Sequence, residues 1–290
     1  MTGAAGLPAI LADIKLAHSV FALPFAVIGL LVGTRGAWPE PLLWLQILLA
    51  MVLARSTAMA ANRLADARFD ATNPRTEGRA LPSGRVARGQ MRLFAWTCAA
   101  GFVGVAYWIA PLCGALAPAV LLVLCGYSYA KRFTPLAHLW LGAALALSPA
   151  AAYLAARGEV GRDVIPVFWL CAAVMCWVAG FDIIYACQDI EHDRREGLAS
   201  LPARLGVTGA LWISRLLHLG MLLALVQLVS AAGLGAPSWL GIAVVALLLV
   251  VEHGLVSGGD LSRVNAAFFT VNGSVGLLFG LFVGADLLWP

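Results

Sequence analysis

The segment Val164-Ile165-Pro166-Val167-Phe168-Trp169-Leu170-Cys171-Ala172-Ala173-Val174-Met175-Cys176-Trp177-Val178-Ala179-Gly180-Phe181-Asp182-Ile183-Ile184-Tyr185-Ala186-Cys187 carries one charge, Asp182, in a run long enough to cross a bilayer as a helix. It continues straight into Gln188-Asp189-Ile190-Glu191-His192-Asp193-Arg194-Arg195, a cluster of acids and bases. A hydrophobic span that ends in charge at one edge is the signature of a membrane helix whose tip does polar work. The rest of the chain repeats this texture. Of its 290 residues 61% are hydrophobic and 12% charged, with a mean hydropathy of +0.88, so water cannot be the solvent for most of the surface.

Runs of similar length lie near Ala17–Val32, Leu42–Ala61, Met91–Ala110, Leu112–Ala130, Leu136–Ala156, Val164–Cys187, Ala210–Ala232, Trp239–Ser257 and Ala266–Leu288. They predict an all-α, multi-pass membrane protein of about nine transmembrane helices. Residues 1–290 read as a single transmembrane domain, and no cleaved signal peptide is separable from the first run. With an odd number of spans, every Lys and Arg except Arg35, Arg157 and Arg162 falls on the side that holds the N-terminus, as the positive-inside rule asks of the cytoplasmic face. The net charge is +4, but no basic run lies outside the short inter-helix loops that face an anionic leaflet, which argues against nucleic acid as a partner. Six cysteines sit in apolar runs without paired metal spacing, so no zinc site or disulfide framework is expected.

Two loops concentrate the acids. After the second run comes Asn62-Arg63-Leu64-Ala65-Asp66-Ala67-Arg68-Phe69-Asp70, and if the helix persists, Asn62, Asp66 and Asp70 share one face. Asp189 and Asp193 repeat the i, i+4 spacing, and 123 residues separate Asp66 from Asp189 and Asp70 from Asp193. The equal offset suggests two related helical halves, each ending one helix with paired acids on the same membrane side. One such pair is commonly a solvated helix end; two on one side, beside a basic loop, call for neutralisation. Facing carboxylate pairs make a hard-oxygen site suited to Mg²⁺ shared with phosphate oxygens. Arg79, Lys131 and Arg132 are then candidates for the remaining diphosphate oxygens. Asp182 lies deep in its span, where an ionisable side chain is expected to have a function or a buried partner. Tyr127 and Lys131 are one turn apart, a spacing that aromatic-belt anchoring also explains. His18, His138, His218 and His253 are scattered without metal spacing, and His192 follows Asp189 by three residues.

These residues resemble the UbiA superfamily of intramembrane prenyltransferases, whose motifs are NDxxDxxxD, YxxxK and DxxxD. Asn62, Asp66 and Asp70 fit the first, Tyr127 and Lys131 the second, and Asp189 and Asp193 the third. Arg75-Thr76-x-x-Arg79-x-Leu81-Pro82-Ser83-Gly84 is similar to the family's basic loop. The stretches Phe21-Ala22-Leu23-Pro24-Phe25 and Tyr185-Ala186-Cys187-Gln188-Asp189 look most like bacterial members labelled 4-hydroxybenzoate polyprenyltransferase or a menaquinone-pathway relative. The resemblance implies nine helices around a central cavity, in the bacterial inner membrane, with the acidic loops cytoplasmic. Three positions depart from the pattern: Arg63 stands where the family has Asp, and Ala67 and Ala199 stand where relatives carry basic residues. Arg68 is a candidate substitute for the missing base at 67, and the diphosphate or a neighbouring acid is the expected partner of Arg63.

The expected chemistry is Mg²⁺-assisted departure of diphosphate from a polyprenyl diphosphate, followed by attack of an aromatic acid's ring on the allylic cation in a site closed to water. Asp66, Asp70, Asp189 and Asp193 would hold the metal; Asn62, Arg68, Arg79 and Lys131 would serve the diphosphate. Arg132, Asp182 and Tyr127 would serve the acceptor. A secondary transporter with interfacial carboxylates is the alternative, although transporter acids gather nearer the midplane. A phosphatidyl-group transferase with one acidic motif would leave the second pair unexplained.

Overall fold

The computed structural model describes residues 6–14, 21–161 and 163–289, and those residues form helices with no strand among them. A short helix α1 (Gly6–Asp13) precedes α2 (Leu23–Gly33), α3 (Pro41–Asp70), α4 (Arg88–Ile109), α5 (Pro111–Ala130), α6 (Ala137–Arg157) and α7 (Val164–Ala186). A 3₁₀ turn, Cys187–Asp189, leads into α8 (Ile190–Arg195), followed by α9 (Leu201–Ala232), α10 (Ala236–Leu255) and α11 (Asn272–Leu288). Among the described residues eight helical segments are long and apolar enough to cross a membrane, close to the nine expected. The run expected near Ala17–Val32 overlaps the 11-residue helix α2, and its beginning, with His18, lies outside the described residues, as do Lys15 and Arg162. Large apolar side chains such as Trp96, Leu122, Phe168, Leu223 and Val250 point outward, which is the pattern of a surface solvated by lipid tails.

α7 is the axis of the bundle, packed against α2, α6 and α9. Its Trp177, Leu170, Val174 and Val178 are buried with Phe25, Tyr153, Leu225 and Phe279 in the largest core cluster. Lipid gives no hydrophobic drive for helices to associate, so close backbone approach has to supply the contact. A Cβ on Gly29 would collide with the carbonyl of Pro149, and one on Gly142 with that of Met175, so these glycines set the α2–α6 and α6–α7 spacings.

A polar network is buried in the second half. Trp177 Nε1 donates to Asn272 Oδ1 at 2.7 Å, and Asn272 Nδ2 donates to Glu252 Oε1 at 2.7 Å, all three side chains being inaccessible. Asn272→Ala would strand both partners and is expected to destabilise the fold by about 2–4 kcal/mol. A lowered unfolding midpoint in detergent would register that loss.

Two helix boundaries differ from the expectation. α9 begins at Leu201 rather than near Ala210, because Ser200 caps its first turn and Pro202 sits where a missing N–H costs nothing. The helix then kinks at Gly206, whose φ of 70° only glycine adopts freely. The second acidic tip is no continuous helix face: α7 stops at Ala186, so Asp189 ends a 3₁₀ turn and Asp193 lies within α8.

Candidate active site

α3 does persist through its acids, and Asn62, Asp66 and Asp70 emerge along one face at its end. Asn62 Nδ2 donates to Asp66 Oδ2 at 2.9 Å and to Ser128 Oγ at 3.3 Å. Lys131 Nζ lies 3.6 Å from Asp66 Oδ2, and Arg132 Nη2 4.0 Å from Asp66 Oδ1. Asp70 takes Arg79 Nη1 at 2.8 Å on both oxygens. Asp66, Asp70 and Asp193 are all buried, an environment that charged carboxylates tolerate only with cations beside them.

The basic loop between α3 and α4 links the two tips. Asn73 Oδ1 accepts the Arg75 N–H at 2.9 Å, folding the loop back on itself, and Asn73 Nδ2 reaches across to Asp189 Oδ1 at 3.1 Å. Arg75 forks onto the same carboxylate, Nε to Oδ1 at 3.1 Å and Nη2 to Oδ2 at 2.5 Å. Burial works against the Arg75 charge, but its hydrogen bonds to Asp189 and that carboxylate's charge prevail and hold the guanidinium above its usual value. The guanidinium also sits 5.5 Å above the ring of Tyr185, one turn before Asp189. Asp193 has Ser200, Lys131 and Asp189 as its polar neighbours, and the Lys131 carbonyl accepts the Ala199 N–H at 2.7 Å. The acids of the two halves thus meet through Lys131 on one side and Arg75 on the other.

Below this ring of charge, Asp182 Oδ2 lies 2.7 Å from His138 Nδ1, so the deep acid has a buried partner, contributed by α6. Tyr127 faces Arg55, Arg63 and Asp66. Arg132 stacks over Phe69 and Tyr129 and donates to the Ala65 carbonyl at 2.5 Å, which keeps it at the rim. Arg68 is not brought to the cluster: two residues past Asp66, it projects from another side of α3 and is exposed, forming none of these ion pairs. Ala67 and Ala199, the two positions where relatives carry a base, are both buried.

Three contributors were not among the candidate site residues read from the sequence, although Arg75 opens the basic loop quoted there. Asn73 and Arg75 sit in a loop whose Asx turn and reach to Asp189 depend on tertiary folding. Arg55, counted among the loop charges, is a partly buried residue within the α3 span, two turns before Asn62, with Tyr127 and Arg63 as neighbours. An arginine inside an apolar run was the available signal.

Among the described residues no group of three or more His, Cys, Asp and Glu side chains closes around a point, so a cation here would share a ligand's oxygens. The donor set suits one: Asp66 Oδ1 is buried without a hydrogen-bond partner, and the acids offer only hard oxygens.

Residues 22–274 match the model of the UbiA prenyltransferase family. The 4-hydroxybenzoate octaprenyltransferase of Alkalilimnicola ehrlichii is 29% identical over 89% of this chain and 87% of its own length. That of Chromohalobacter salexigens is 29% identical over 87% and 83%. The apo structure of a UbiA homolog from Aeropyrum pernix K1 superposes with a TM-score of 0.85 at 33% identity, covering 94% of this chain and 99% of the other. A UbiA homolog from Archaeoglobus fulgidus bound to GPP and Mg²⁺ shares the fold, with a TM-score of 0.76 at 20% identity over 97% and 99%.

Proposed function

Because this chain belongs to the UbiA prenyltransferase family, and is an integral membrane prenyltransferase, we propose that it moves a polyprenyl group from its diphosphate to a 4-hydroxybenzoate-like or naphthoate acceptor in quinone biosynthesis. The observation carrying this reading is the convergence of the two acidic tips through Lys131 and Arg75, which assembles four carboxylates and several cations at one membrane edge. That balance is matched to a polyanion with its counter-ion, and the Archaeoglobus fulgidus homolog bound to GPP and Mg²⁺ shares the fold.

Asp66, Asp70, Asp189 and Asp193 would hold Mg²⁺, which when bound supplies the positive charge that makes diphosphate a good leaving group. Arg75 and Arg79 turn their forks from Asp189 and Asp70 toward diphosphate oxygens, and Lys131 adds a point charge. Asn62 keeps the Asp66 carboxylate in place. Beneath Asp189, the rings of Tyr185, Phe268 and Phe181 lie edge to face or tilted, 4.3 and 5.2 Å apart in succession. Those π faces favour an allylic cation and keep water from trapping it as an alcohol. The acceptor carboxylate pairs with an arginine, Arg132 at the rim or Arg55 within the span, and Tyr127 bounds the same space. Asp182, oriented by His138, accepts the phenol hydrogen bond that raises electron density on the ring.

The acidic loops face the cytoplasm of a bacterial inner membrane in this reading, since the Lys and Arg residues of the sequence collect at that end. Arg35 and Arg157 gather instead on Asp163, at the far end of α7.

Membranes carrying the protein, incubated with labelled prenyl diphosphates of several lengths and a panel of hydroxylated ring acids, should yield a C-prenylated acid identifiable by mass. EDTA should stop product formation and added Mg²⁺ restore it. Solute flux through proteoliposomes without any prenylated product would overturn the proposal.

A further inference from the structure

Arg63 departs from the family pattern by placing a cation beside the first acidic tip, and its contacts explain how that tip tolerates it. The Arg63 side chain is 5% exposed and its Nε lies 3.3 Å from Oδ2 of Asp13, itself 10% exposed, at the end of α1. Nη2 donates to the Asp13 backbone carbonyl at 3.3 Å, and Nη1 donates to Asn62 Oδ1 at 2.8 Å. Asp13 Oδ2 also accepts the Ala80 N–H of the basic loop at 3.4 Å. Ile10 and Ile14 pack on Ala60, Ala80 and Met91, so α1 clamps the tip of α3 to the loop that carries Arg75 and Arg79.

The Asn62 amide is held between unlike neighbours. A guanidinium only donates, so Asn62 must turn its oxygen toward Arg63; an ionised carboxylate only accepts, so the amide nitrogen must turn toward Asp66. With Oδ2 of Asp66 engaged by Asn62, Oδ1 is the buried oxygen without a hydrogen bond. If Arg63 no longer donates, the amide oxygen loses its partner and only the contacts of the nitrogen with Asp66 and Ser128 hold the orientation.

We infer that Asp13 and Arg63 are positioning residues, through which the N-terminal helix fixes the Asn62 amide and thereby aims the Asp66 carboxylate at the cation shared with the diphosphate. The inference rests on the metal and diphosphate reading above. Arg63→Lys keeps the charge facing Asp13 but replaces a rigid fork with a single ammonium, so it cannot serve Asp13 and Asn62 together. The exchange D13R/R63D keeps opposite charges facing each other, yet Asp at position 63 has no proton for Asn62 Oδ1.

The test is binding of geranyl diphosphate to the purified full-length protein at graded Mg²⁺, followed by titration calorimetry beside the unfolding midpoint. In the wild-type protein binding should require Mg²⁺. Arg63→Lys should raise the Mg²⁺ concentration needed for half-maximal binding by about tenfold or more, the usual effect of losing an outer partner of a metal ligand. The exchange variant should regain unfolding temperature relative to Arg63→Asp alone while its Mg²⁺ requirement stays raised. An unchanged requirement in Arg63→Lys, or its full recovery in the exchange variant, would overturn the inference and leave the metal reading standing. Wild-type binding that ignores Mg²⁺ would overturn both.

Discussion

Asp66→Asn and Asp189→Asn should each lower prenyl transfer by at least about a thousandfold while the protein still inserts and folds, the scale on which lost electrostatic stabilisation of a leaving group is felt. The substitution keeps shape and removes charge. Asp66 is buried with Lys131 and Arg132 beside it, so the asparagine leaves those cations in place and removes one of the four carboxylates proposed to hold the metal. Asp189 is the acid that ties the basic loop to the second half, held by both Asn73 and Arg75. Loss at either position should therefore be seen at saturating prenyl diphosphate as well as at low concentration, and measured turnover within a few-fold of wild type would contradict the assignment.

Arg79→Ala is expected to cost about a hundredfold in kcat/KM for the prenyl diphosphate, the order found when a close, partly desolvated charge contact to a phosphoryl group is removed. Arg79 holds both oxygens of Asp70 with one nitrogen, leaving the rest of its fork to meet a ligand. Deleting it also leaves Asp70 buried without its partner, so part of the loss should appear as a lower unfolding midpoint. Arg79→Lys should recover that stability, since an ammonium neutralises Asp70, and recover less of the catalytic efficiency, since it cannot fork. Steady-state kinetics across prenyl diphosphate concentrations separate the two contributions.

Much of this architecture is written in local pattern. The apolar runs locate the membrane helices, because spanning length and hydrophobicity are properties of contiguous sequence, although α3 runs nine residues past its apolar run and α9 starts nine residues before its own. The face of α3 that bears Asn62, Asp66 and Asp70 follows from helical periodicity alone. The second motif has the same spacing, yet its acids sit on a 3₁₀ turn and a new helix, a break that no Gly or Pro between Ala186 and Asp193 announces. The pairing of Arg63 with Asp13 spans 50 residues, and that of His138 with Asp182 spans 44; neither leaves a trace in local spacing. Arg68 shows the converse, since a residue next in sequence to a missing base is turned by 100° around the helix and lies exposed here.

The proposed reaction requires Asp66, Asp70, Asp189 and Asp193 to hold a divalent cation together with a prenyl diphosphate. Crystals grown with Mn²⁺ and a non-hydrolysable geranyl thiodiphosphate, measured at the manganese absorption edge, test it most directly. Anomalous density between the carboxylates of Asp66 and Asp70 and those of Asp189 and Asp193, in contact with the diphosphate oxygens, is the predicted result. Diphosphate bound elsewhere in the bundle, or manganese that avoids both tips, would contradict it.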